Sequence, residues 1–319
     1  MATTRCAILS AMHDGSRKTI FAAFAANLGI AIAKFIGFAF TGAASMLSEA
    51  VHSVADTTNQ GLLLLGGKKA RRAPTERHPF GFGRERYFWA FIVALVIFAL
   101  GSAFAIVEGI DKVRHPEHLD SAAWAIGILS VSVALETFSF RTAAKEARKS
   151  KGNQTWFGYI NSAKAPEIPL VLLEDLGALI GLAVALGAVA LTLVTDNGRW
   201  DGVGAILIGV VLGAISILLA IKMKSLLIGE SADANDISAI RAAILDAPNT
   251  HDLIHLRTQH FGPDELLVAA KVTFADDLHG QSLADAIDAT ERRIRDAVPT
   301  SLYLFIEPDV RHVEEVPQP

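Results

Sequence analysis

The stretch Thr41-Gly-Ala-Ala-Ser45-Met-Leu-Ser-Glu49-Ala-Val-His52-Ser-Val-Ala-Asp56-Thr-Thr-Asn59 decides how the rest of the chain is read. It is rich in alanine, lacks proline and runs into Gly61-Leu-Leu-Leu-Leu65, so it reads as one long helix. Ser45, Glu49, His52, Asp56 and Asn59 recur every three or four residues. At about 100° per residue they fall within an arc of roughly 80°. The remaining positions are mostly apolar or small. An ionisable group inside a bilayer costs about 2.5–3.5 kcal/mol on insertion scales. Such a stripe must face protein, water or an ion.

The composition places this helix in a membrane. Of 319 residues, 51% are hydrophobic and 19% are charged, and mean hydropathy is +0.38. An ordinary soluble domain is about 25% charged. Six apolar stretches approach the roughly 20 residues that cross a bilayer core: Ile20–Phe40, Ala43–Leu65, Tyr87–Ile110, Ala122–Phe140, Pro169–Val194 and Gly202–Ile221. The first carries Asn27 and Lys34 in its middle and has no small-residue cleavage site after it, so it is expected to stay as a span. Arg and Lys crowd the stretch before the first span and the loops after the second and fourth, whereas the other side receives only Lys112, Arg114 and Arg199. Positive residues stay inside, which predicts six helices with both termini cytoplasmic. Residues 1–224 read as the membrane domain.

From Ser225 onward the chain changes character, with 7 Lys/Arg against 17 Asp/Glu. Asn235–Leu245 and Ser282–Val298 have helical periodicity, while Leu253–Gln259, Leu266–Phe274 and Leu302–Ile306 read as strands. Residues 225–319 are therefore expected to form a small cytoplasmic α+β domain in the order αββαβ. Its acidity argues against a nucleic-acid partner. One cysteine excludes a disulfide framework and a multi-Cys zinc ribbon. Gly61–Lys68 lacks the Ser/Thr and the strand context of a phosphate loop.

His52 and Asp56 are one helical turn apart, so imidazole and carboxylate can converge on one ion; the alternative is a structural hydrogen-bonded network. Span five carries Glu174 and Asp175 side by side. Adjacent residues differ by about 100°, so both cannot face span two squarely; Asp175 is the first choice of ligand and Glu174 the second. The competing reading is a buried acid paired with Lys34 or another helix. Glu108 and Glu136 lie near span ends and read as snorkelling or locally paired. Gly177 and Gly181, and Gly209 and Gly213, have the four-residue spacing of close helix packing.

With these features together, the chain resembles the cation diffusion facilitator family over almost its whole length. Thr41 to Asp56 is similar to the family's second-helix signature, and His78-Pro-Phe-Gly-Phe-Gly83 to its following loop. Leu47-Ser-Glu49, Val171-Leu-Leu-Glu174-Asp175 and Leu227-Ile-Gly229 point to a zinc-transporter branch. The resemblance implies a homodimer with a metallochaperone-like, ferredoxin-like cytoplasmic domain. It also implies proton-coupled zinc export by alternating access, with no cofactor and with zinc or another divalent metal as cargo. Carried over residue by residue, the metal site is His52, Asp56 and Asp175, completed by Glu174 or Glu49, because Val171 occupies the place of a frequent fourth ligand. The loop site of many members needs a second His where this chain has Phe82. Tail positions that often bind metal are Ile254, Ala270 and Phe305 here, with only Glu307 acidic, so the tail is expected to bind zinc weakly unless His251, Asp252, His255 and His260 form a new site.

The leading expectation is thus a multi-pass protein of the cell (inner) membrane that antiports divalent metal, Zn first and Mn, Fe or Co by the same ligand chemistry. Two other classes stand beside it: an intramembrane metal-dependent hydrolase using the same residues to activate water, and a membrane regulator that transports nothing.

Overall fold

The structure is a computed structural model that describes residues 28–40, 42, 44–116, 122–298 and 300–310. Most of it is helical. In chain order the long helices are α1 (Leu28–Phe40), α2 (Ala44–Ala70), α3 (Glu85–Arg114), α4 (Ala122–Lys151), then a short α5 (Trp156–Ser162), α6 (Glu167–Thr195) and α7 (Arg199–Ile228). Four of these, α3, α4, α6 and α7, are long and apolar enough to cross a bilayer. The predicted second span is a continuous helix, but its polar stripe lowers its mean hydropathy below theirs. The predicted first span is described only over Leu28–Phe40, and its beginning lies outside the described residues.

Large apolar side chains such as Trp124, Val131, Phe138, Val194 and Ile221 point outward, while Lys34, Glu49, His52 and Asp56 are buried. A soluble protein arranges these the other way. This inversion is what a lipid solvent demands. Small residues set the spacing inside. A Cβ on Gly109 would lie 2.7 Å from the Gly202 carbonyl oxygen, and a Cβ on Gly209 would lie 2.9 Å from that of Ser102. A Cβ on Gly177 would meet Ile215 at 2.7 Å, and one on Gly213 would meet Ser102 Oγ at 2.8 Å. The paired glycines therefore mark close helix contacts.

α3 does not keep one period. Its middle, Ile97–Ala103, is a π-helical segment, which inserts one extra residue per turn and is commonly found at functional sites. The run Gly101-Ser102-Ala103 gives that segment a bare inner face.

The tail follows the predicted αββαβ order: α8 (Ala234–Leu245), β1 (Thr250–Gly262), β2 (Glu265–Phe274), α9 (Gln281–Ala297) and β3 (Ser301–Pro308). Asp233 caps α8 by accepting 2.9 Å hydrogen bonds from the Asn235 and Asp236 amides. The sheet has the order β1-β2-β3, antiparallel and then parallel. β2 alternates between buried and half-buried positions. Its buried face (Leu266, Val268, Ala270, Val272, Phe274) packs with Ile240 and Ile244 of α8 and with Ile294 of α9. The chain divides into two compact units. One holds the apolar helices up to Met223. The other joins Lys69–Tyr87 and Ser162–Ala165 to everything from Lys224 onward.

Candidate metal-transport site

The stripe on α2 folds inward as its spacing requires. Ser48, Glu49, His52, Ser53, Asp56, Thr57 and Asn59 are all buried, whereas Val54 and Thr58 on the opposite side are exposed. His52 Nδ1 approaches Asp56 Oδ1 at 3.4 Å, longer than an ordinary N–H···O hydrogen bond. Both imidazole nitrogens and Asp56 Oδ1 are left without a hydrogen-bond partner although fully enclosed. Unpartnered polar atoms at such depth are costly. They are also what a metal cation would satisfy.

α6 supplies the acids opposite. Pro169 falls in its first turn, where a missing N–H costs nothing, and Glu174 and Asp175 follow, both buried. The adjacent pair diverges, as one helical step dictates. Glu174 faces α2: its Oε1 accepts a 2.7 Å hydrogen bond from Asn59 Nδ2, and its carboxyl is within hydrogen-bond reach of Asp56. Asp175 turns to α4, where its Oδ2 accepts a 2.9 Å hydrogen bond from Ser139 Oγ. Of the two acids, Glu174 is thus the one beside Asp56, and Asp175 the one held on α4.

Glu49 has another partner. Its Oε2 lies 3.1 Å from Lys34 Nζ, and Ser53 Oγ is 2.8 Å from the same ammonium. Lys34 therefore pairs with a span-two acid instead of the span-five acid that the sequence offered. Glu136, expected at a span end, is buried one helical turn before Ser139 on α4. Its surroundings include Lys34, Asp175 and Glu49. Sequence reasoning missed it because hydropathy gives a residue's depth but not the rotation of its helix. The π segment of α3 was also missed, and it borders the site: a Cβ on Gly101 would lie 3.9 Å from His52 Nδ1. Its signal was the glycine and two small residues inside a helix otherwise filled by large apolar ones.

Among the described residues, no three His, Cys, Asp or Glu side chains gather tightly enough to form a coordination shell. The five candidates form a buried polar path across α2 and α6, with His52–Asp56 and Asp56–Glu174 as its close pairs. In the tail, His251, Asp252, His255 and His260 do not converge either.

The architecture is thus a helical membrane unit with buried ionisable residues, followed by a small α+β tail. The family model of the cation efflux transmembrane domain matches residues 20–228, and the chain belongs to that family, whose members are transporters and not enzymes. It is similar to the mouse protein "Proton-coupled zinc antiporter SLC30A9, mitochondrial", with 31% identity over 85% of this chain and 48% of the relative. It is also similar to "Metal tolerance protein C4" of Arabidopsis thaliana, with 32% identity over 72% of this chain and 50% of the relative. "Magnetosome protein MamB" of Magnetospirillum gryphiswaldense is 22% identical over 93% of this chain and 95% of its own length. The chain spans about half the length of the zinc antiporter relatives.

Proposed function

We propose that the protein exports divalent metal ions, zinc foremost, in exchange for protons by alternating access. The observation that carries this reading is the enclosed His52 imidazole, unpartnered at both nitrogens beside Asp56 and with Glu174 across the helix interface. His52, Asp56 and Glu174 then ligate the ion first, with Asp175 next to them and Glu49 engaged by Lys34. A neutral imidazole and ionised carboxylates bind zinc, and the same groups bind protons, so metal binding releases protons. The two ions compete for one set of atoms, which is the physical basis of exchange. Mn, Fe and Co are accepted by the same donors.

The proposed frame is six membrane helices with both termini cytoplasmic, residues 1–224 acting as the transport domain and 225–319 as a cytoplasmic domain in a homodimer at the cell membrane. Support comes from the distribution of positive loops, from family membership, and from relatives whose names record proton-coupled zinc antiport. The test is uptake in proteoliposomes across a panel of divalent ions, with and without a pH gradient. Zinc flux that rises with the gradient and vanishes in Asp56→Asn is expected. Flux at the parent rate in Asp56→Asn and Glu174→Gln would refute the site.

A further inference from the structure

Lys34 has no place in the exchange described above, yet it is completely enclosed on α1. Its ammonium is fixed by Glu49 Oε2 at 3.1 Å and Ser53 Oγ at 2.8 Å. These two partners flank His52 in sequence, so the ammonium rests against the helical turn that carries the imidazole. Asp56 and Glu136 also lie within its electrostatic reach. Glu49 is held just as firmly. Its Oε1 is buried without a hydrogen-bond partner, and a Cβ on Gly181 would come within 2.4 Å of it. A side chain at 181 would press on this carboxylate oxygen.

A cation inside a cation site has a cost as well as a use. At low dielectric the repulsion between an ammonium and an incoming divalent ion is large, so Lys34 lowers the affinity of every carboxylate near it. Conduction needs binding strong enough to enter and weak enough to leave. Glu49, Asp56, Glu136, Glu174 and Asp175 are all buried acids, and without a resident cation their negative charge would attract a divalent ion more strongly. We infer that Lys34 is an affinity-setting residue, a tethered counter-cation whose fixed charge keeps the metal site loose enough to turn over. The inference rests on the transport reading, and it separates Glu49, the counter-ion, from the ligands.

The test titrates zinc alone into the full chain in detergent by calorimetry at constant pH, and measures flux in proteoliposomes. Lys34→Met removes one positive charge and is expected to tighten zinc binding at least about tenfold while slowing flux. Glu49→Gln leaves the ammonium uncompensated and is expected to weaken binding by a similar factor. The double variant restores the net charge and is expected to loosen binding again relative to Lys34→Met; replacing a buried ion pair as a whole also spares the fold. A merely structural lysine predicts weaker binding or none on its removal, never tighter. Unchanged or weakened binding in folded Lys34→Met overturns the inference. Should that variant not fold, a double variant that binds at least tenfold more weakly than the parent overturns it, by making Glu49 a ligand; a double variant within tenfold of the parent, together with the weakening in Glu49→Gln, supports it. A parent protein that binds no zinc brings down the transport reading itself, a result distinct from either.

Discussion

Asn59 of α2 donates a 2.7 Å hydrogen bond to Glu174 Oε1 of α6, and both side chains are buried. This bond joins the two helices that carry the candidate ligands and turns Glu174, not Asp175, towards Asp56. Glu174→Gln is therefore expected to reduce zinc flux more than Asp175→Asn, whose carboxyl is held by Ser139 on α4. Asn59→Ala leaves Glu174 with one buried oxygen unpartnered, at a cost of about 1–3 kcal/mol. Zinc flux in proteoliposomes checks the order, and thermal unfolding of the three variants in one detergent checks the cost at Asn59. Equal losses in Glu174→Gln and Asp175→Asn would remove the distinction.

The helix contacts make a prediction independent of metal. At Gly202 a Cβ would lie 2.7 Å from the Gly109 carbonyl oxygen and 2.8 Å from the Val113 amide nitrogen. Backbone atoms cannot swing aside as a side chain can, so Gly202→Ala and Gly109→Ala are each expected to cost about 1–3 kcal/mol. Gly127 and Gly187 are exposed on their helices, with nothing within 4 Å of an added Cβ. Alanine there is expected to be neutral or to stabilise by up to about 1 kcal/mol. Unfolding midpoints should divide the four variants into these two pairs.

What was legible in the sequence follows from what costs free energy locally. The inward stripe of α2 could be read because ionisable residues at three- and four-residue spacing have only one tolerable face in a membrane. The tail's element order could be read because its apolar periods switch between 3.6 and 2. Pairings between distant segments were not legible. Lys34 was visible as an anomaly in the first span, but nothing local said that Glu49 holds it. Glu174 and Asp175 were both visible, and one helical step decides which meets Asp56. The only local trace of the π segment is Gly101-Ser102-Ala103, since the shift in phase itself is hidden where nearly every side chain is apolar. The stacking of Phe80 could not be read locally, because Phe261 and Tyr303, its partners, lie almost two hundred residues away or more.

The tail should weaken in mild acid. His260 is buried on β1, with Nδ1 3.2 Å from the Gly262 carbonyl oxygen. Burial, the largest influence, lowers its pKa below the ordinary 6.5. The unfolded chain then takes up a proton that the folded one resists, so this contribution to stability is present above about pH 6.5 and declines as pH falls towards the folded pKa. Hydrogen exchange of the β1 amides in the full chain, corrected for intrinsic rates, should show less protection near pH 5.5 than near pH 7.5. In His260→Gln that difference should shrink. An unchanged difference would assign the effect to another group.

The loop after α2 packs on the tail through aromatic rings. Phe80 stacks on Phe261 with ring centroids 4.7 Å apart and planes at 28°, and meets Tyr303 edge-on at 5.4 Å and 89°. The Arg84 guanidinium lies 5.0 Å from the Phe261 ring centroid. All four residues belong to the same compact unit. The backbones come close as well: a Cβ on Gly83 would fall 2.8 Å from the Phe261 carbonyl oxygen and 3.1 Å from Gly262 Cα. Phe82, which stands where a second loop histidine would be needed for a metal site, instead packs on the His78 ring at 4.7 Å. Each aromatic pair contributes about 0.5–1.5 kcal/mol beyond the area it buries, whereas the exposed Arg86–Asp264 pair at 2.9 Å contributes about 0–1 kcal/mol. Phe80→Ala and Gly83→Ala are therefore expected to speed hydrogen exchange in the Phe261–Glu265 turn, and Asp264→Asn to have little effect. A chelator should leave the exchange of this turn as it was, since aromatic packing and not an ion holds the loop. Exchange that rises on chelation, or that stays at the parent rate in Gly83→Ala, would mean that the fastening is made elsewhere.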